Sequence, residues 1–535
     1  MRPYPTPMAE TQNGGERVAM SKHAGDFDVV VLGGTPGGLA AAIAAARLGR
    51  SVALVEYQAH LGGMSASGLG KSDIERREMV GGLFREFIQG VYETYVARYG
   101  AGSGELEKCR HGYYYEPSVA ESVFSQMVRR AGSIRTWLAH RLVDATVEDG
   151  GLQAVSIAAR PEGDPLLLTA RTFVDATYEG DLLAAAGAAY RSGREGRDAF
   201  DEPHAGMIYF DYERGRTLPG STGQADHRLP AYTYRLCLTT DVGNGRAIDQ
   251  PPPGYDPQHY LGYHDDLAAG RLAPPRQFKP GRGYYPEHFN TLVRALSVTD
   301  LPGGKVDANI NPRPLSFPFP EENEGYVDGD WQTREAIADR HRQLTLGLLW
   351  FLQNDPSVPA AHREMARRYR LSADEFPDND HFPWQLYIRE ARRLRGVYTL
   401  TEHDITRGNG RRPPAADDDT IAIGEFPIDS FPVRKRQPSD SIVLEGYLGM
   451  LDGISHPYPI PYRVMLPERL DGLIVPVAVS ATHVAYSSLR MEPTWMALGQ
   501  AAGVATHLAV TRQTPLRDIP IPALQDLLRR QGQVL

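Results

Sequence analysis

Cysteine is nearly absent: Cys109 and Cys237 are the only two in 535 residues. Two thiols cannot build a disulfide framework, a Cys-x-x-Cys redox pair or a cysteine-ligated iron–sulfur cluster, and a reducing compartment is their simplest setting. A long apolar run is also missing. The longest, "GLAAAIAAARLG" (38–49), is broken by Arg47 and is too short to span a bilayer. The first 25 residues are polar and rich in Pro and Gly. They lack the apolar segment of a secretory signal and read as a disordered tail, with Met20 as an alternative start, so a cytoplasmic location is expected. Basic charge is in deficit: 57 Lys and Arg face 66 Asp and Glu, for a net charge of −9, which argues against nucleic acid or an anionic membrane as partner. His259, His264 and Asp265 fall in an irregular stretch without metal-ligand spacing, so no metal is expected. There is no internal repeat and no low-complexity block. The length suits two or three domains of a globular enzyme.

The N-terminal third carries a compact pattern. "FDVVVL" (27–32) is a continuous apolar, β-branched run, as in a strand buried on both faces of a parallel sheet. The loop "GGTPGG" (33–38) leads into an alanine-rich helix closed by Gly49, and "SVALVE" (51–56) is a second buried strand ending in an acid. Glu56 lies 23 positions after Gly33, near the spacing of about 20 for the acid that holds a ribose. Strand, glycine loop, helix and acid-tipped strand form a dinucleotide-binding βαβ unit. Thr35 stands where the fingerprint has its middle glycine. A threonine fits there if φ stays negative, and its hydroxyl is then expected to donate to a phosphate oxygen. Pro36 falls in the first helical turn, where a missing N–H is harmless.

After Glu56 the chain enters a second glycine-rich stretch, "AHLGGMSASGLG" (59–70), and then a helical segment. That order resembles the FAD-binding half of the glutathione-reductase-type flavoproteins, which implies that Gly62, Gly63 and Met64 run along the pyrophosphate towards a flavin. "RTFVDATYEGDLLAAAG" (171–187) resembles their second dinucleotide motif. Tyr178 and Glu179 replace part of its glycine run, so no direct flavin contact is expected of those two. "DGLIVPVAVSATHVAYSSLRMEPTWMALGQAAG" (471–503) resembles the closing strand and helix of the same proteins, the helix presenting its positive end to the flavin.

With "YRLCLT", "REARRLRG" and "PIPYRVMLPERLDGLIVP", these motifs make the chain similar to the bacterial FAD-dependent oxidoreductases over roughly residues 27 to 512. The resemblance implies an α/β fold: a Rossmann-type, glutathione-reductase-like FAD-binding domain with an inserted α+β substrate domain. It implies one non-covalent FAD held by Gly33, Gly34, Thr35, Pro36, Gly37, Gly38, Glu56, Gly62, Gly63, Met64, Val143, Ala176, Thr177, Asp181 and Gln500. The expected layout is a tail (1–25), the first part of the FAD domain (26–200), the insert (201–395), a return to the FAD domain (396–515) and a C-terminal tail (516–535). Within the insert, "YTYRLCLTT" (232–240) alternates like a strand and residues 330–355 have helical periodicity with Asp330 as N-cap, while "PRQFKPGRGYYPEHF" (275–289) is loop-like.

No second strand–glycine loop–helix unit occurs; "GNGRRPP" (408–414) has glycine spacing without a flanking strand or helix. Electrons are therefore expected to pass between substrate and oxygen or an external carrier, and not through a bound nicotinamide. A flavin moves the hydride, so the protein must position the substrate and shuttle one proton. The candidates are His483 as base and Arg490 as its cationic neighbour, then His456 and Tyr458, with His403, Arg463, Lys71, Asp73 and Arg235 as further polar residues near the motifs. Arg389, Arg392 and Arg393 read either as ion-pair partners of Glu390 and its neighbours or as a site for an anionic substrate. The leading expectation is a dehydrogenase or oxidase acting on a polar small molecule, a sugar-like or natural-product alcohol or amine. Alternatives are a C=C reductase or desaturase with an arginine as proton donor, and an FAD-fold binding scaffold without turnover.

Overall fold

The computed structural model describes residues 22–211, 214–268, 298–309, 319–406, 419–435, 444–451 and 453–535. The loop-like stretch 275–289 and "GNGRRPP" lie outside the described residues.

The main sheet is built around β1 (Lys22–Leu32). Val29 to Leu32 are all buried, as a strand covered on both faces requires. The strand begins at Lys22, inside the segment expected to be a disordered tail, because Lys22 to Thr169-facing Asp26 find a partner along the start of β6 (Leu166–Asp175). Helix α1 (Pro36–Arg47) follows the glycine loop and leads to β2 (Val52–Val55). Helices α2 (Gly82–Tyr99) and α3 (Pro117–Ala131) come next, then β3 (Ile134–Trp137) and the hairpin β4 (His140–Glu148) with β5 (Gly151–Ala159). The order β3-β2-β1-β6 is parallel throughout; β5 lies antiparallel to the first residues of β6, and β12 (Leu473–Ile474) lies parallel to its last. This is a doubly covered Rossmann-like sheet.

Small residues bring α1 against the long helix α7 (Glu492–Arg512). A Cβ on Gly499 would overlap the Gly37 carbonyl, and one on Gly503 the Ala41 carbonyl. Both glycines are therefore packing requirements of the helix pair.

A second, antiparallel sheet has the order β8 (Gly245–Arg246), β11 (Arg370–Ser372), β7 (Leu236–Thr239), β10 (Lys305–Ala308) and β9 (Val298–Leu301). The long helix α5 (Trp331–Asn354) starts at Asp330, whose carboxylate accepts from Thr333 N at 2.8 Å. This layer rests on the second glycine loop. A Cβ on Gly68 would overlap the Arg235 carbonyl, and one on Gly70 would stand 3.1 Å from Asp307 Cβ. Lys305 Nζ joins the two layers by bonding Glu116 Oε1 at 2.6 Å and Glu375 Oε1 at 2.7 Å.

The last residues are not a tail. After α6 (His483–Leu489) and α7 comes α8 (Ile521–Arg530), whose Leu524 and Leu528 form one buried i, i+4 edge. Gln533 Nε2 then donates to Ile421 O and Ala497 O at 3.1 and 2.9 Å. Among the described residues no helix is long and apolar enough to cross a membrane, and no cluster of three or more His, Cys, Asp or Glu could hold a metal.

Candidate functional site

A cleft of about 430 Å³ opens at the carboxyl ends of β1, β2 and β6, where an open α/β sheet ordinarily takes its ligand. One wall contains Gly33, Thr35, Glu56, Thr177 and Asp181. Gly33 has φ +100°, and a Cβ there would press to 2.6 Å from the Ala176 carbonyl carbon. Gly38 has no room for a side chain because its Cβ would overlap Gly33 O. Gly34 donates to Glu56 Oε2 at 2.5 Å, and Gln58 N donates to Glu56 Oε1 at 2.7 Å. Burial pushes the Glu56 carboxyl up to about 7 against these bonds.

Thr35 keeps a negative φ of −67° and caps α1, accepting from Gly38 N at 3.2 Å. Its hydroxyl hydrogen goes to Ala176 O at 2.9 Å. The expected donation to a phosphate is thus replaced by a bond between the first loop and the end of β6. Pro36 opens α1 at its first position, and Gly37 packs against Val477 and Trp495.

Gly62 and Gly63 both have positive φ, +106° and +47°, and Met64 N donates to Tyr178 OH at 3.0 Å. Tyr178 OH in turn donates to Glu492 Oε1 at 2.6 Å. Tyr178 therefore braces the second glycine loop against the first turn of α7. Asp181 is held by both nitrogens of Arg334 at 2.8 Å.

Val143 and Gln500 do not reach the cleft. Val143 points outward at 49% exposure, while its neighbours His140, Arg141 and Leu142 supply the lining. Gln500 accepts from Leu83 N at 2.8 Å and donates to Gln531 Oε1 at 3.0 Å, tying α7 to α2 and the chain end.

The opposite wall comes from far along the chain: Tyr326, Trp331, Arg334 and Glu335, with Phe382 to Leu386. Trp331 stacks on Tyr57 with ring centroids 4.4 Å apart, and the Arg160 guanidinium sits 3.8 Å from the centroid of that tyrosine's ring. No local signal in the sequence marks these residues.

The proton-transfer candidates lie outside this cleft. His483 Nδ1 meets Glu390 Oε2 at 2.8 Å, and its backbone N donates to Glu195 Oε2 at 2.9 Å. Arg393 bridges both acids, at 2.8 Å to Glu195 Oε1 and 2.8 Å to Glu390 Oε1. Arg490 donates to Tyr387 OH at 3.3 Å and Asp429 O at 2.6 Å. His456 Nδ1 bonds Ile405 O at 3.1 Å; Tyr458 OH bonds Ser488 Oγ at 2.8 Å and is fully buried. His456 and Tyr458 are thus engaged in holding the strand pair Thr420–Gly424 and Tyr458–Pro461 to its neighbours.

The residues fit a flavin dinucleotide. Four glycines, Gly33, Gly34, Gly37 and Gly38, line the turn beside an acid-tipped strand, and a second glycine pair follows at Gly62–Gly63. At the start of α7, Glu492 Oε2 and Trp495 Nε1 are buried without a protein partner. Two orphaned polar atoms one turn apart, at the positive end of a helix, call for a polar ligand. Burial also pushes the Glu492 carboxyl up to about 8, so it is a neutral donor at neutral pH.

Residues 28–528 match the family described as FAD dependent oxidoreductase. No curated protein matches the chain. Among solved structures, similarity extends to a geranylgeranyl bacteriochlorophyll reductase-like protein from Thermoplasma acidophilum (11% identity, 95% of this chain and 84% of that one, TM-score 0.34). It extends also to THI4 of Thermovibrio ammonificans (20% identity, 32% and 66%, TM-score 0.22) and to the myxobacterial chondrochloren halogenase CndH (18% identity, 42% and 46%, TM-score 0.24). The chain thus spans two thirds or less of the THI4 and halogenase chains.

Proposed function

The chain belongs to the family of FAD-dependent oxidoreductases, and from that premise we propose that it is a dehydrogenase or oxidase. The substrate is a polar small molecule with a hydroxyl- or amine-bearing carbon, and the electrons pass on to oxygen or an external carrier. FAD, when bound, supplies the acceptor for the substrate hydride. In the loop Gly33–Gly38 the N–H groups of Gly33, Gly34 and Gly38 go to Val55 O, Glu56 and Thr35, which leaves those of Thr35 and Gly37 for the diphosphate; Glu56 accepts from ribose hydroxyls, and Gly62, Gly63 and Met64 lie along the path to the flavin. Thr177 and Asp181 complete the wall, with Arg334 holding the Asp181 carboxylate in place.

The observation that carries the reading is the Glu390–His483 pair. A carboxylate accepts at Nδ1, so that nitrogen carries the hydrogen, and no described residue bonds Nε2, the atom left to take up a proton. An imidazole fixed in this tautomer is a base for the hydroxyl or ammonium proton released as the hydride departs. Arg490, at the end of α6 and two residues before α7, steadies negative charge on the substrate side.

The test is anaerobic reduction of the FAD-loaded protein by a panel of alcohols, amines and enoates. Bleaching by an alcohol or amine, slowed about 10²–10⁴-fold in His483→Ala with oxygen reoxidation unchanged, is the expected result. Bleaching by NADH alone overturns the proposed direction of electron flow.

A further inference from the structure

Three arginines of one short run, Arg389, Arg392 and Arg393, are buried, and two of them have anionic partners. Arg392 meets Asp181 at 3.1 Å and Asp328 at 3.5 Å; Arg393 meets Glu195 and Glu390 at 2.8 Å each. Arg389 has no such partner. It is fully buried, donates to Ala231 O at 2.6 Å and Thr233 Oγ1 at 2.9 Å, and leaves its Nε without an acceptor. Its guanidinium lies 3.5 Å from the Phe431 ring centre and 4.3 Å from that of Tyr387.

The neighbours make this worse. Burial above all, with Arg490 and Arg235 acting as like charges, pushes its guanidinium down to about 9 against the opposing pull of Tyr387 and Asp429, and it stays protonated at neutral pH. Arg235 is neutralised by a two-point bond to Asp307, and Arg490 has Asp429 at 3.7 Å. Asp73 also acts on Arg235 and Arg490, but it faces Lys71 at 4.0 Å, so across the group one unit of positive charge is left over, out of water, where an unpaired charge is strongly unfavourable.

The place matters. Arg490 precedes α7 by two residues and shares Tyr387 with Arg389. Arg235 backs onto the second glycine loop at Gly68. The surplus charge thus stands where that loop, the inserted sheet and the α6–α7 joint converge.

We propose that Arg389, with Arg490 and the Tyr387 hydroxyl, recognises a carboxylate of the substrate, which is then a hydroxy acid or an amino acid. A single surplus charge matches a monoanion and not a phosphate dianion. A planar fork between two aromatic rings matches a flat carboxylate. The inference deepens the alcohol-or-amine reading above and rests on it for the rest of the molecule.

The test uses the full-length, FAD-loaded protein. Acetate and benzoate, which cannot be oxidised, are titrated while the flavin spectrum and the heat of binding are followed, beside acetamide, benzamide and inorganic phosphate. Saturable binding of the carboxylates, at least tenfold weaker for the amides and for phosphate, is expected. Arg389→Met should raise the benzoate Kd at least tenfold, with Arg389→Lys in between. Equal binding of amides and carboxylates, no binding of carboxylates, or a preference for phosphate each overturns the proposal, and none of these readings needs a variant that folds. With lactate, alanine and their methyl esters as reductants, the acids should show the lower KM at similar kcat. If esters reduce the flavin as well as acids do, carboxylate recognition fails and oxidation stands. If carboxylates bind but nothing reduces the flavin, oxidation fails and recognition stands.

Discussion

The hydroxyl of Tyr178 donates to Glu492 Oε1 at 2.6 Å while it accepts from Met64 N at 3.0 Å. One phenol thereby fixes the second glycine loop to the first turn of α7, and a Cβ on Gly63 would overlap its oxygen. Tyr178→Phe should loosen both sides and weaken FAD binding by roughly tenfold, the worth of one buried hydrogen bond. Equilibrium dialysis of FAD against the variant measures this; an unchanged Kd would show that the brace does not form.

Glu56 and Glu492 should give FAD affinity a bell-shaped pH profile. Glu56, at about 7 before the ribose hydroxyls reach it, must be ionised to accept from them, so affinity rises as pH climbs towards and past 7. Glu492, at about 8, donates only while protonated, so affinity falls as pH climbs past 8. Glu56→Gln should flatten the acid limb and Glu492→Gln the alkaline one. Glu56→Ala should raise Kd by roughly ten- to a hundredfold, in line with about 1.5–3 kcal/mol for a bond to a charged group. Fluorescence titration between pH 6 and 9 reads all three.

Gly38→Val should abolish FAD binding, since the new side chain begins inside the Gly33 carbonyl. Thr35→Ser should behave as wild type because it preserves the cap on Gly38 N and the bond to Ala176 O. Thr35→Val loses both and should lower stability by about 1 kcal/mol. Thermal unfolding with and without FAD separates these cases, and a soluble, yellow Gly38→Val protein would refute the steric argument.

The FAD-free protein should be more stable at pH 5 than at pH 7.5. Burial raises Glu202 and Glu425 from 4.5 to about 7, and Asp175 from 3.8 to about 6. The folded state therefore holds protons that the unfolded chain releases, and this stability, complete below the unfolded values, is lost as pH rises through the folded ones. Glu202 Oε2 has no partner. Glu202→Gln should raise Tm at pH 7.5 by about 1 °C for each kcal/mol recovered in a chain of this length and leave it unchanged at pH 5. An equal change at both pH values would assign the effect to packing instead of ionisation.

The first βαβ unit could be read from the chain because all its signals are local: the apolar run, the glycines and Glu56 fall within 30 residues. The opposite wall of the cleft could not. Trp331 meets Tyr57 across 274 positions, and Glu492 meets Tyr178 across 314. Nothing near Trp331 in sequence announces such a partner. Which way Val143 and Gln500 face was likewise not legible: on a strand or helix the side chains take turns, and the fold leaves Val143 half exposed and ties Gln500 to Leu83 N. The last 20 residues looked like a tail because they are polar and proline-containing, yet Leu524 and Leu528 are enough to dock α8. The arginine run was ambiguous because ion pairs are settled by folding, and only the folded chain shows which of the three lacks one.

The cleft draws its walls from both ends of the chain's history. Gly33 and Glu56 belong to the first βαβ unit, whereas Trp331 and Trp384 come from some hundreds of residues further along. A nascent chain holding only the first 200 residues has the phosphate loop but neither the far wall nor α7, so it offers the dinucleotide a shelf and no enclosure. Enclosure of the dinucleotide therefore depends on the far wall and on α7 as much as on the loop itself.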